Sequence, residues 1–307
     1  MKLSKKGKIV GVLLVIFILI VAFLIFKVVH LNHAIHDSKD HTQSLTNGQK
    51  KVANKQPISV AIFGVDSDAK RAKANLGQRT DTILIASINP EKGKTKLISI
   101  PRDTRAEISG FDRTEKIAHA YAYGGPKTAI KTIEDNFNIP IDGYVTVDMD
   151  GFEKLIDIFG GVDVKSNATF EYNGSQFKQG ESMHLNSKKA LDYVRSRKED
   201  GAGGDEGRTE RQRQVIAALS EKMSETHNLF KLNKILQVSE QNVKTSFDLK
   251  SLKTLYSKYK GAGNAIDKLS ISGQNLIESD GIWYFIPDVT DKEEKMKVYK
   301  HNLQSSE

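Results

Sequence analysis

The chain is 307 residues long, 38% hydrophobic and 27% charged, enough for a sizeable core of one or two domains. Its formal charge of +8 suits an anionic partner, whether nucleic acid, a membrane surface or a phosphorylated substrate, and composition does not choose among them. With no cysteine, a disulfide framework, a thiolate zinc site and a cysteine nucleophile are all excluded.

Residues 9–26 are an unbroken run of apolar residues and glycine. At about 1.5 Å per residue a helix of that length covers roughly 27 Å, close to the hydrocarbon thickness of a bilayer. The run is longer than a secretory h-region and continues into Lys27-Val28-Val29, so residues 9–29 are expected to form an uncleaved transmembrane anchor. Lys2, Lys5, Lys6 and Lys8 precede it and only Lys27 follows closely. The positive-inside rule then predicts a single-pass cell-membrane protein, with a basic tail (1–8) in the cytoplasm and everything after the anchor outside. Residues 30–56 are polar, lack a period of 2 or 3.6, and read as a tether. Their histidines, His33, His36 and His41 among them, are irregularly spaced with no carboxylate cluster beside them, as solvated linker residues are.

The folded part is expected over residues 57–307. An apolar run at 58–66 reads as a buried strand, followed by strands at 82–88 and 95–100 joined by the turn Asn89-Pro90-Glu91-Lys92-Gly93, which favours antiparallel pairing. Ala129, Ile130, Ile133 and Phe137 have helical spacing behind Pro126, a residue suited to a first turn. A strand at 144–147, a helix at 151–159 and a strand at 161–164 come next. Helices are predicted at 187–194, 209–223, 229–238 and 249–259, then an extended segment at 281–287 and a charged tail from Asp291. This alternation predicts an α/β fold, a mixed sheet with helices on both faces.

Arginine dominates the candidate site. Asp66 ends the first strand and Asp81 opens the second, with Arg79 two residues before it. A hairpin-like loop would bring both carboxylates and the arginine to one rim of the sheet. Two hard oxygen ligands beside phosphate oxygens are what Mg²⁺ uses, and strand-end turn residues are the alternative. Arg102 follows Pro101 directly after a strand, so its guanidinium projects from a stiff position. Arg195 and Arg197 share a side only if the chain is extended there. Thr209-Glu210-Arg211-Gln212 fits a capping box, which would set Arg208 and Arg211 at a helix N-terminus, where a cation is disfavoured by about 0.3–1 kcal/mol unless something negative sits there. Asp205 and Glu206, or a bound phosphate, would fill that need. The sequence lacks the G-x-S-x-G, Walker A, G-x-G-x-x-G and H-E-x-x-H motifs, and His119 reads as polar support rather than a base.

In order, Gly64-Val65-Asp66, Arg79-Thr80-Asp81-Thr82, Ser99-Ile100-Pro101-Arg102-Asp103-Thr104, the stretch 116–125, Tyr193-Val194-Arg195-Ser196-Arg197-Lys198, Gly204-Asp205 and the stretch 207–214 resemble the LytR-CpsA-Psr family of cell-wall assembly proteins, over about residues 58–219. The resemblance implies an α-β-α sandwich behind an N-terminal anchor, with an apolar groove for a polyprenyl chain. It also implies a phosphotransferase that moves an anionic glycopolymer, such as wall teichoic acid or capsular polysaccharide, from undecaprenyl pyrophosphate to the C6 hydroxyl of N-acetylmuramic acid in peptidoglycan. Carried over by position, Asp66 and Asp81 would hold Mg²⁺ (or Mn²⁺) or orient the acceptor. Arg79, Arg102, Lys116, Arg195, Arg197, Arg208, Arg211 and Gln212 line the pyrophosphate and head group, and Asp66, Arg102, Arg195 and Arg197 take part in the chemistry. The implied partners are the polyprenyl-pyrophosphate-linked glycopolymer, peptidoglycan and the cell membrane, not nucleic acid. One departure is Gly201-Ala202-Gly203, where many relatives carry proline and a further residue, sometimes arginine. A glycoside hydrolase could use two carboxylates but has no need of the arginines around them. A non-catalytic binder of lipid-linked wall precursors is the remaining alternative.

Overall fold

The computed structural model describes residues 43–66, 79–225, 242–279 and 281–305. Its centre is a six-stranded sheet in the order β11-β6-β1-β2-β3-β12. These strands are β1 (Ile58–Asp66), β2 (Arg79–Asn89), β3 (Lys94–Ser99), β6 (Gly143–Asp148), β11 (Val243–Thr245) and β12 (Ile266–Ser270). β1 pairs antiparallel with β2 and parallel with β6, β3 pairs antiparallel with β2 and parallel with β12, and β11 is antiparallel to β6, so the sheet is mixed.

β1 is apolar on both faces because both are covered. Ala61, Phe63 and Val65 join Ile83, Ile85 and Ile98 in a core closed by α2 (His119–Phe137), through Ala129, Ile130, Ile133 and Phe137, and by α7 (Val289–Asn302), through Met296 and Tyr299. On the other face Ile58 and Val60 pack with Val52 of α1 (Gln43–Ala53), Phe247 and Tyr259, and with Leu252 and Leu255 of α6 (Leu249–Lys258). The result is the expected α-β-α sandwich.

A second apolar cluster lies beside the sheet, built from α3 (Met149–Ile158), α4 (Ser187–Arg195), α5 (Gly204–Glu225) and the short ribbons of β7 (Val162–Lys165) with β10 (Ser182–Leu185) and β8 (Phe170–Tyr172) with β9 (Ser175–Phe177). Phe170 stacks on Phe177 at 4.7 Å between ring centroids, and Phe177 leans on Tyr193 at 5.0 Å. Two further ribbons flank the sheet, β4 (Arg105–Glu107) with β5 (Thr114–Lys116) and β13 (Gly273–Ile277) with β14 (Trp283–Pro287).

Several expectations are corrected. The membrane-spanning helix is not found among the described residues, where no helix is long and apolar enough to cross a membrane. The span expected at 9–29 lies outside the described residues, as does the helix expected at 229–238, and the described residues supply no helix for the single-pass placement. Part of the stretch read as a tether is α1, with Val52 fully buried. Its docking is largely polar, which hides it from a search for apolar period: Lys51 Nζ lies 2.8 Å from Asp142 and Gln49 donates to the Ser246 carbonyl. Gly48 permits the close approach, since a Cβ there would lie 1.8 Å from the Asp142 carbonyl oxygen. The charged tail from Asp291 belongs to α7, whose Asn302 amide donates to the Ser87 carbonyl of the sheet. Pro126 opens the second half of α2, after a break at Gly124 and Gly125, where Gly125 has φ 64°.

Candidate anion-binding and catalytic site

The site begins with an irregularity in β2. Gly64 of β1 pairs with Thr82 but Val65 pairs with Thr80, so Asp81 is the extra residue of a bulge. A bulge takes its residue out of the alternation that buries Thr80 and Ile83, and re-aims it at the rim. Asp66 and Arg79 face each other in register at this same end of the hairpin. Their side chains lie outside the described part of the structure.

Asp81 accepts a hydrogen bond from Arg102 Nη1 at 2.5 Å. Arg102 is held by the turn after β3, where the Thr104 N–H and hydroxyl both donate to the Pro101 carbonyl, and by Ala118 N–H donating to its own carbonyl. The neighbouring Asp103 was not singled out as a site residue from sequence, yet it organises the cluster. Its side chain is 6% exposed and lies 2.8 Å from Lys116 Nζ, 3.5 Å from Arg102 Nε and 3.9 Å from Arg197 Nη2. Its backbone is fastened too, its carbonyl accepting from Phe285 N–H of β14. Lys116 Nζ also sits 5.5 Å from the centroid of Trp283 on β14. Three cations from three separate stretches, each about a quarter exposed, therefore stand over one buried carboxylate. Arg102, Lys116 and Arg197 set against Asp81 and Asp103 leave a formal excess of one positive charge.

Arg195 lies exposed in the last turn of α4, a favourable place for a cation, and Ser196 after it is extended with ψ 134°. Arg197 N–H donates to the Glu199 carboxylate. Gln212 is half-buried on α5.

Two expectations change at α5. Helix α5 starts at Gly204, before the expected capping box, so Arg208 and Arg211 are inside the helix and the end-charge argument for a bound phosphate does not apply to them. Both are buried. Arg211 is fully so, and its donors are taken by protein acceptors: Nε to the Tyr193 carbonyl at 2.8 Å, Nη2 to the Ser196 carbonyl at 2.6 Å, and Nη1 to the Ala202 carbonyl at 2.8 Å and Asn167 Oδ1 at 3.3 Å. The guanidinium lies 4.6 Å from the centroid of Phe170. Burial pushes its pKa down to about 10, which leaves it charged at neutral pH. Arg211 thus caps the carbonyl end of α4 and fixes the segment that delivers Arg197.

The Gly201-Ala202-Gly203 departure has a geometric basis. Gly201 and Gly203 both have positive φ, 77° and 75°, and a Cβ on Gly201 would lie 2.2 Å from the Thr169 carbonyl oxygen. This loop borders a cavity of about 530 Å³ that Asn167, Thr169, Gln179, Glu206 and Glu210 also line, without a lysine or arginine, so it is separate from the cation cluster. His119 Nδ1 pairs with Glu115 at 2.8 Å, the polar support expected of it.

The fold is a mixed-sheet sandwich that gathers cations from three stretches over one buried carboxylate, an arrangement suited to an anionic ligand. The model of the LytR_cpsA_psr family matches residues 24–301, and the chain belongs to that family. It is 40% identical over 235 residues to the polyisoprenyl-teichoic acid--peptidoglycan teichoic acid transferase TagU of Halalkalibacterium halodurans, covering 76% of this chain and 75% of that one. It is 35% identical over 272 residues to the Bacillus subtilis protein of the same name, covering 88% and 86%. Among solved structures, B. subtilis TagV superposes with a TM-score of 0.70 at 35% identity, covering 82% of this chain and 99% of that one.

Proposed function

We propose that this protein transfers an anionic glycopolymer, of the teichoic acid or capsular kind, from a polyprenyl pyrophosphate to the C6 hydroxyl of N-acetylmuramic acid in peptidoglycan. The observation that carries the reading is the convergence of Arg102, Lys116 and Arg197 on Asp103. The names of the TagU relatives support the teichoic acid and peptidoglycan parts of it.

The donor's pyrophosphate is already activated, so positioning and charge neutralisation account for most of the chemistry. The cation cluster binds the pyrophosphate oxygens, with Arg195 at the exposed end of α4. The acceptor hydroxyl oxygen bonds to the phosphorus that carries the polymer. The bond from that phosphorus to the bridging oxygen breaks, polyprenyl phosphate leaves, and the hydroxyl proton passes to Asp66. The carboxylates of Asp66 and Asp81, at one end of the β1–β2 hairpin, are hard oxygen donors that fit Mg²⁺ or Mn²⁺ and would hold it. When bound, such an ion supplies further neutralisation of the pyrophosphate and lowers the pKa of a coordinated hydroxyl.

The test is transfer of labelled glycan from a lipid pyrophosphate to peptidoglycan oligomers by the full chain, with Mg²⁺ and with chelator. A phosphodiester-linked product that depends on the ion is expected, with loss in an Arg102→Ala, Arg195→Ala double variant. Undiminished transfer by that variant would sink the enzymatic reading.

A further inference from the structure

An aromatic pair stands outside the cation cluster and takes no part in the reading above. Phe111, at the tip of the β4–β5 hairpin, and Tyr123, in the first half of α2, are 40% and 38% exposed with ring centroids 5.2 Å apart. Exposed rings on a loop are usually free to turn, but these are braced. Around Phe111 the loop is bonded to itself, Phe111 N–H to the Ile108 carbonyl and Arg113 N–H to the Phe111 carbonyl, and Ser109 ties it to Thr132 and Asp135 of α2. Tyr123 Oη donates to Glu115 at 2.7 Å and accepts from Arg113 at 3.1 Å, and the Arg113 guanidinium lies 5.0 Å from the Tyr123 ring centroid. Gly124 and Gly125 break the helix immediately after Tyr123.

The pair's size and charge narrow its occupant. Two rings about 40% exposed offer on the order of 150 Å² of apolar surface. A stable protein interface needs about 800 Å² per partner, so neither a second copy nor a folded partner is seated by it. Arg113 and Glu115 cancel in charge, unlike the cation cluster, so a phosphorylated chain gains nothing there. What remains is a ligand with a flat C–H face for the rings and hydroxyls for a planar donor and a planar acceptor beside them.

We infer that Phe111 and Tyr123, with Arg113 and Glu115, form a binding platform for a pyranose of an uncharged glycan strand. The strand β5 joins it to the site, carrying Glu115 to the platform and Lys116 to the cation cluster. In terms of the proposed transfer, on which this assignment of role rests, the platform holds the acceptor strand and not the anionic polymer.

The experiment titrates the full-length protein with chitotetraose, an uncharged N-acetylglucosamine tetramer, and separately with poly(glycerol phosphate) and inorganic pyrophosphate. Binding is read by saturation-transfer NMR and calorimetry. Chitotetraose is expected to bind the native protein and to bind Phe111→Ala and Tyr123→Ala at least tenfold more weakly, with unchanged circular dichroism and melting temperature. Tyr123→Phe, which keeps the ring, should lose less. The assignment is overturned if the native protein does not bind chitotetraose, if the alanine variants bind it as well as the native chain, or if poly(glycerol phosphate) displaces it. Arg102→Ala separates the two readings: it is expected to lose pyrophosphate and keep the sugar. Failure of pyrophosphate to bind the native protein would refute the transfer reading while leaving the platform standing.

Discussion

Replacing Arg211 with alanine distinguishes a ligand-binding arginine from one that holds the fold. Four hydrogen bonds leave its guanidinium, three of them to backbone carbonyls at the end of α4 and in the loop before α5. Bonds from a charged donor contribute about 1.5–3 kcal/mol each, and contact with the Phe170 face adds about 1 kcal/mol. These terms share one side chain and do not add, and water entering the cavity will satisfy part of the loss. The expected net cost is therefore about 4 kcal/mol, the range for breaking a buried charged network. At about 2–4 °C per kcal/mol for a protein of this size, the melting temperature falls by roughly 8–16 °C. Guanidinium chloride denaturation should show the same loss in the midpoint. Arg211→Lys should recover less than half of it, since one ammonium cannot reach acceptors arranged around a planar fork. A melting temperature within about 1 °C of the native protein, together with weakened pyrophosphate binding, would refute the assignment and return Arg211 to the ligand.

Other perturbations test neighbouring parts. Asp103→Asn removes the shared counter-ion of three cations while raising the local charge, so inorganic pyrophosphate should bind at least as tightly while polymer transfer falls about tenfold or more, about 1.4 kcal/mol in barrier; parallel losses in both would contradict this. Gly201→Ala meets both a positive φ and the Thr169 carbonyl, whereas Gly180→Ala meets only a positive φ of 79° in open space. Urea denaturation should give about 3 kcal/mol for the first and about 1 kcal/mol for the second. Burial works to raise the Glu115 carboxyl, but hydrogen bonds from Tyr123 and His119 outweigh it and hold the group below its usual range. A carboxylate whose folded pKa is depressed contributes fully at neutral pH and is lost as pH falls through the folded value. Chitotetraose binding should therefore stay level down to the ordinary glutamate range and decline only below it, and a decline centred above that range would count against the Glu115 brace.

The central strands were legible because β1, β2 and β3 are apolar enough to be buried on both faces, and the helix behind Pro126 because its stripe is regular. Arg102 and Arg197 stood out from their places at element ends, and the structure brings both to Asp103. Asp103 did not stand out, because its importance comes from Lys116 on β5 and Arg197 in the loop after α4, and no local pattern records that. The protein acceptors of Arg211 were hidden for a related reason. Arginine at an apparent helix start reads as an anion ligand, while its acceptors in the structure are carbonyls of a helix end 15 and 18 residues earlier in the chain. Helix α1 escaped notice since, among its described side chains, Val52 is the one buried apolar residue, and β8 and β9 are three residues each, too short to show a period although Asn173-Gly174 between them is a hairpin signal.

The strand order has a consequence for how the chain is made. Both outer strands of the central sheet, β11 and β12, come from the last quarter of the sequence, after the strands they cover. During synthesis, then, β6 and β3 wait with bare hydrogen-bonding edges until residues 243–270 emerge, and a chain stopped short of them presents two open templates for self-association. Truncation from the C-terminus should be punished by aggregation well before it reaches any residue that touches substrate.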